Sequence, residues 1–107
     1  MAFLKVVTSY DVMLYPGQGK QRGRININCF EDYKLYLIFL DPSEPVTTDF
    51  YNATSKIGVA HQYFNQYPHF LDLLRNEKPI TVTFRPEDTP PSFVVWCAQE
   101  PPGEGEI

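Results

Sequence analysis

The amino-acid sequence predicts a mainly β domain of the α+β kind: a small barrel-like or strongly curved antiparallel sheet with one short helix. Three observations carry that prediction. Apolar and polar residues alternate in several segments; two runs, "LYLIFL" and "FVVWCA", are apolar at every position; and one segment alone, "YPHFLDLLRN", shows helical spacing. The order along the chain reads β-β-β-β-α-β-β, with the helix over about residues 67–76. A short helix between two groups of strands suits a sheet that curls, the helix plugging one end or covering one face. An open antiparallel sheet is the alternative.

The elements follow in order. "LKVVTSYDVMLY", residues 4–15, is rich in β-branched and aromatic residues and reads as a strand; "PGQGKQRG" after it is a turn-rich connector. In "RININCF", Ile25, Ile27 and Cys29 alternate with Arg24, Asn26 and Asn28, the mark of a half-buried strand. Glu31 and Asp32 form a turn, and "LYLIFL" follows as a strand covered on both faces and so placed centrally. The proline-marked "DPSEPVTTDFYNATS" reads as one long loop. "KIGVAHQYF" is a strand with Ile57, Val59, His61 and Tyr63 on one parity, and Gly58 marks a bulge or a close backbone approach.

In the helix, Tyr67, Phe70, Leu71 and Leu74 form the apolar stripe, and His69, Asp72, Arg75 and Asn76 the polar side. Asn65 is predicted to cap its start, Pro68 fits the first turn, and Asn76 is predicted to close it in the left-handed conformation before Pro79. "ITVTFR" alternates again, Glu87 and Asp88 turn the chain, and "FVVWCA" is predicted as a second central strand.

A chain of 107 residues suits one core, and the predicted division is a β-rich body over 1–99 and an acidic Pro/Gly tail over 100–107. Hydrophobic residues at 43% against 21% charged ones supply enough apolar surface to offset backbone ordering. The formal charge is -4, but three of the thirteen acids, Glu100, Glu104 and Glu106, lie in the tail, leaving the body nearly neutral. That balance disfavours a dedicated nucleic-acid binder. The start has no secretory pattern, and the longest apolar run falls far short of the roughly 20 residues that span a bilayer. A cytoplasmic chain with no membrane association is expected, in which Cys29 and Cys97 are reduced core thiols, a disulfide being the alternative if their strands are neighbours, and the Asn52-Ala53-Thr54 sequon is incidental.

No set of residues in the sequence identifies a reaction. His61 and His69 have no second histidine or cysteine at a metal-ligand interval; Asp72 is placed to engage His69 at the surface, and His61 fits the end of a buried face with its ring bonded to backbone. No catalytic, cofactor or metal residues are assigned. Two surfaces stand out instead. Lys20, Arg22 and Arg24, set among glycines in the 16–24 loop, are candidate phosphate contacts, with Tyr10 or Tyr33 as stacking rings. Tyr36 and Trp96, on strands with more apolar surface than one helix can cover, are candidates for a partner surface or for self-association into a dimer. The leading expectation is a small non-catalytic binding or assembly module acting through protein–protein contacts. A nucleic-acid-binding β-barrel is the alternative, and an enzyme with a histidine site ranks third.

Overall fold

A computed structural model of the chain describes residues 3–15, 20–45, 49–85, 87 and 92–97. The predicted tail over 100–107, and Asp88 of the predicted last turn, lie outside the described residues. Seven strands form one curled sheet: β1 (Phe3–Leu14), β2 (Gln21–Cys29), β3 (Lys34–Leu40), β4 (Phe50–Asn52), β5 (Ile57–Tyr63), β6 (Ile80–Arg85) and β7 (Ser92–Cys97), with helix α1 (Tyr67–Asn76) between β5 and β6. The order across the sheet is β4-β5-β3-β2-β1-β6-β7. The predicted curved β fold with one short helix is the observed one.

Three details differ. The sheet is mixed, because β5 pairs parallel to β3 while the other neighbours are antiparallel. The reason lies in the long loop, which contains the three-residue strand β4: its reversal brings the chain back as β5, inserted between β4 and β3. Three residues show no measurable alternation, so β4 has no signature of its own. "LYLIFL" is an interior strand as predicted, but "FVVWCA" supplies β7 at the sheet's end, not its centre. An uninterrupted apolar run reports two apolar faces and says nothing of neighbours. On β7, Phe93, Val95 and Cys97 face the core, while Val94 and Trp96 point outward beside Thr83 and Thr81.

Register follows the alternation. Ile25 pairs with Leu37 and Ile27 with Leu35, which puts all four on the inner face, and all are fully or almost fully buried. The β2–β3 turn holds three residues, Phe30–Asp32, closed by Cys29 N–H donating to Tyr33 O at 2.8 Å. Its tightness puts Glu31 and Asp32 at φ 62° and 65°. An ion pair from Lys5 to Glu31 and a hydrogen bond from Lys56 Nζ to Glu31 O pin it.

The curl is closed by rings. Phe84 of β6 lies directly over Gly58 of β5, where an added Cβ would come within 2.2 Å of the ring; the close approach predicted for Gly58 is real. Phe3, Tyr33, Tyr51 and Phe84 pack around it with centroids 5.1–6.3 Å apart. On the other side α1 bridges the open face: Tyr67 and Phe70 pack on Phe39 of β3, and Phe70 stacks on Phe93 of β7. Tyr67 and Leu74 are buried, and Phe70 and Leu71 are partly buried against the core.

The helix ends depart from expectation. Asn65 lies in a 3₁₀ turn, Phe64–Gln66, that runs into α1, so Phe64 O accepts the Tyr67 N–H and no side chain caps the start. With Pro68 lacking a donor, a cap has less to satisfy. Asn76 stays helical, its amide donating to Asp72, and Glu77 leaves in an extended conformation with its N–H on Leu73 O.

Candidate functional site: a cleft beside the open edge of a strand

The residues singled out by sequence do not form one site. The ladder of β2 starts at Gln21, so Arg22 and Arg24 belong to a strand and not to a flexible finger. Arg22 Nε donates to Asp41 Oδ1 at 3.1 Å. The Ser43 hydroxyl and backbone N–H, then Arg22, hold the Asp41 carboxyl below its ordinary value. Arg24 Nε donates to Asn26 Oδ1 at 2.6 Å, and its guanidinium lies 4.4 Å from the centre of the Tyr36 ring. Lys20 is exposed just before β2, and its carbonyl accepts the Asp41 N–H. The two suggested stacking rings are also engaged: Tyr10 packs on the inner face, and Tyr33 is flanked by Lys5 and Lys56, each 5.0 Å from its centre.

Tyr36 and Trp96 both face outward, but β2, β1 and β6 separate their strands. Each belongs to a local apolar spot. Tyr36 pairs with Val59, which pairs with the exposed Phe50; Trp96 donates through Nε1 to Thr83 Oγ1 at 3.0 Å, beside the exposed Val94 and Leu4.

The histidines stay apart as well. His69 is exposed on α1, and the Asp72 carboxylate predicted to engage it accepts from Asn76 instead, because both lie one turn apart on the same face. His61 is buried, but its ring meets a carboxylate and not backbone: Asp49 Oδ1 is 3.1 Å from Nδ1 and also accepts the His61 N–H at 2.9 Å. Both side chains are 10% exposed or less. One oxygen taking both contacts pins residue 49 to β5 and so sets β4 beside it. Among the described residues no three His, Cys, Asp or Glu side chains gather as a metal site.

Cys29 and Cys97 are thiols and not a disulfide pair. Burial pushes Cys29 up to about 11, which keeps it protonated and unreactive. Cys97 is half-buried, with Sγ 3.8 Å from Lys78 O.

What sequence reading missed is a cleft. β1 pairs with β6 only over Phe3–Val6, ending at Val6 opposite Thr81. There the two strands part. A bulge follows at once: Val7 pairs with Cys29 and Ser9 with Asn28, leaving Thr8 as the extra residue, its hydroxyl donating to Asn28 O. The bulge bends β1 away from β6, and the fork opens into a cavity of about 500 Å³. One wall is Val7–Tyr10; the other is Leu74 and the Glu77–Ile80 connector. Beyond it β1 continues to Leu14 with β2 as its one strand neighbour among the described residues, and Val12 is 40% and Leu14 59% exposed. The one signal in the sequence is the length of the first strand against the short "ITVTFR" that becomes its neighbour.

Comparison of the chain with protein-family models, with curated proteins and with solved structures gave no match.

Proposed function

We propose that this protein is a small non-catalytic binding or assembly module whose contact surface is the β1–β6 cleft and the apolar strip beyond it. The observation that carries this reading is the cavity of about 500 Å³ walled by Val7–Tyr10, with exposed Val12 and Leu14 following on the same strand. A concave, partly apolar site next to uncovered apolar side chains is the usual form of a recognition surface. The polar groups elsewhere fit the same reading, since His61, Asp49, Arg22 and Arg24 each hold part of the sheet. Nucleic-acid binding through the β2 bases gains nothing from their positions.

The test is affinity capture on the immobilised full chain, with and without nuclease, beside the Leu14→Asp variant. Partners that survive nuclease and are lost from Leu14→Asp support the reading. Partners that vanish with nuclease favour the nucleic-acid alternative, and partners held equally by Leu14→Asp place the contact elsewhere.

A further inference from the structure

Every residue of a strand sends its N–H and C=O to one side, and the side alternates along the chain. In β1 the direction is readable. Tyr15 N–H donates to Arg22 O at 2.9 Å, so residues of its parity, Met13 and Asp11, face β2. The Tyr67 hydroxyl, donating to Met13 O while its ring overlies Gly23, confirms that this carbonyl points across to β2. Tyr10, Val12 and Leu14 therefore turn their N–H and C=O groups to the opposite edge. Among the described residues no backbone group meets them there, because β6 leaves at Thr81.

The same three residues share a face. Tyr10 pairs with Ile27, Val12 with Ile25 and Leu14 with Gly23, so their side chains lie in line with the inner face of the sheet. That row grows more exposed toward Leu14. The edge thus offers hydrogen-bonding groups and an apolar row in one register, without the proline, lysine or short length that commonly blunts a free strand.

We infer that Tyr10–Leu14 receives an extended segment of a partner protein as an added β-strand, with one apolar side chain of the guest seated in the Val7–Ile80 cleft. This rests on the binding-module reading and names the form of the partner. An antiparallel guest runs in line with β6, which is antiparallel to β1, and its C-terminal end enters the fork in front of Ile80. Main-chain pairing supplies the affinity, and the cavity selects for a large apolar side chain at one position. Two other occupants fit less well. The chain's own C-terminal residues contain Pro101, Pro102, Gly103 and Gly105, which lack donors or disfavour extended pairing. A second copy paired antiparallel over the same five residues would bring Pro16 and Gly17 to the fork, one without a donor and the other without a side chain to fill the cavity.

The test uses random nine-residue peptides displayed against the full chain, followed by synthesis of the enriched sequence. Its binding is measured to wild type and to Val12→Pro, which removes an outward N–H and leaves the β2 ladder intact. The expected result is alternating apolar sequences, affinity at least tenfold weaker for Val12→Pro, and a similar loss when alternate peptide amides are N-methylated and offered to wild type. In the free chain, amides of Tyr10, Val12 and Leu14 exchange with solvent at least tenfold faster than those of Asp11 and Met13, and the peptide slows them. Failure to enrich any peptide overturns the inference, as does equal binding by the N-methylated peptide. So does protection of those three amides in the free chain, whether a concentration-dependent mass assigns it to a second copy or a chain ending at Cys97 assigns it to the C-terminal residues. If Val12→Pro keeps the partners that Leu14→Asp loses, the strand inference falls and the binding-module reading stands.

Discussion

Phe84 and Gly58 bring the two halves of the curled sheet into direct contact, one ring lying on bare backbone. A methyl group at 58 would meet the ring at 2.2 Å, and both residues are buried, so neither can step aside without disturbing Phe3 and Tyr51. Gly58→Ala is expected to cost about 1–3 kcal/mol in urea denaturation. In a double mutant with Phe84→Leu the cost of the alanine should fall, giving a non-additive cycle. Cys29 makes a pH-dependent contribution. Its thiol ionises at the ordinary 9.0 in the unfolded chain, and burial pushes it up to about 11 when folded. Between those values the unfolded state holds fewer protons, so stability falls as pH rises through the window and is unaffected below it. Tyr51 and Tyr67, both raised by burial, act in the same direction. The urea midpoint of wild type should therefore drop more between pH 8 and 10.5 than that of Cys29→Ala, and parallel losses would refute the assignment.

Helix α1 closes the open face of the curled sheet, and its two sides have unequal energetic weight. Leu74→Ala, at a buried position, should destabilise the chain by about 2–5 kcal/mol, while His69→Ala on the exposed side should stay within about 0.5 kcal/mol. Leu71 is only partly buried, and its truncation should fall between the two. Chemical denaturation followed by far-UV circular dichroism measures all three. Strand β1 carries the other division of labour: its first four residues complete β6 and its remainder completes β2, with the Thr8 bulge as the joint. A twelve-residue strand shared by two shorter neighbours leaves an edge where only one of them runs.

At the scale of the molecule the charge distribution makes a testable statement. The net charge is -4, and Arg22 and Arg24 are engaged by Asp41, Asn26 and Tyr36. Single-stranded DNA or RNA should therefore show no retained binding by fluorescence anisotropy at 50 mM salt. Replacing Lys20, Arg22 and Arg24 together by Ser should leave that result unchanged while lowering the melting temperature, because the three contacts of Arg22 and Arg24 with Asp41, Asn26 and Tyr36 are lost. Tight, steeply salt-dependent binding abolished by the triple variant would restore the phosphate reading. Among the described residues no helix is long and apolar enough to cross a membrane.

Local chemistry was legible from the sequence wherever it acts over a few residues. Alternation in "RININC" and "ITVTF" placed Ile25, Ile27, Val82 and Phe84 in the core; the spacing of Tyr67, Phe70, Leu71 and Leu74 defined α1; and an isolated glycine in a strand marked the place where Phe84 lands. These features depend on side-chain period and on the absence of a Cβ, which a sequence states directly. Neighbour relations were not legible. The parallel β3–β5 pairing, β7 at the sheet's end and the wide separation of Tyr36 from Trp96 follow from how strands order themselves in space. The ring of His61 found Asp49 because a three-residue strand brought the two together. The cleft belongs to the same class. It exists because β1 outruns β6 and bends at Thr8, and only the assembled sheet decides which strand has a neighbour on each side and where that neighbour stops.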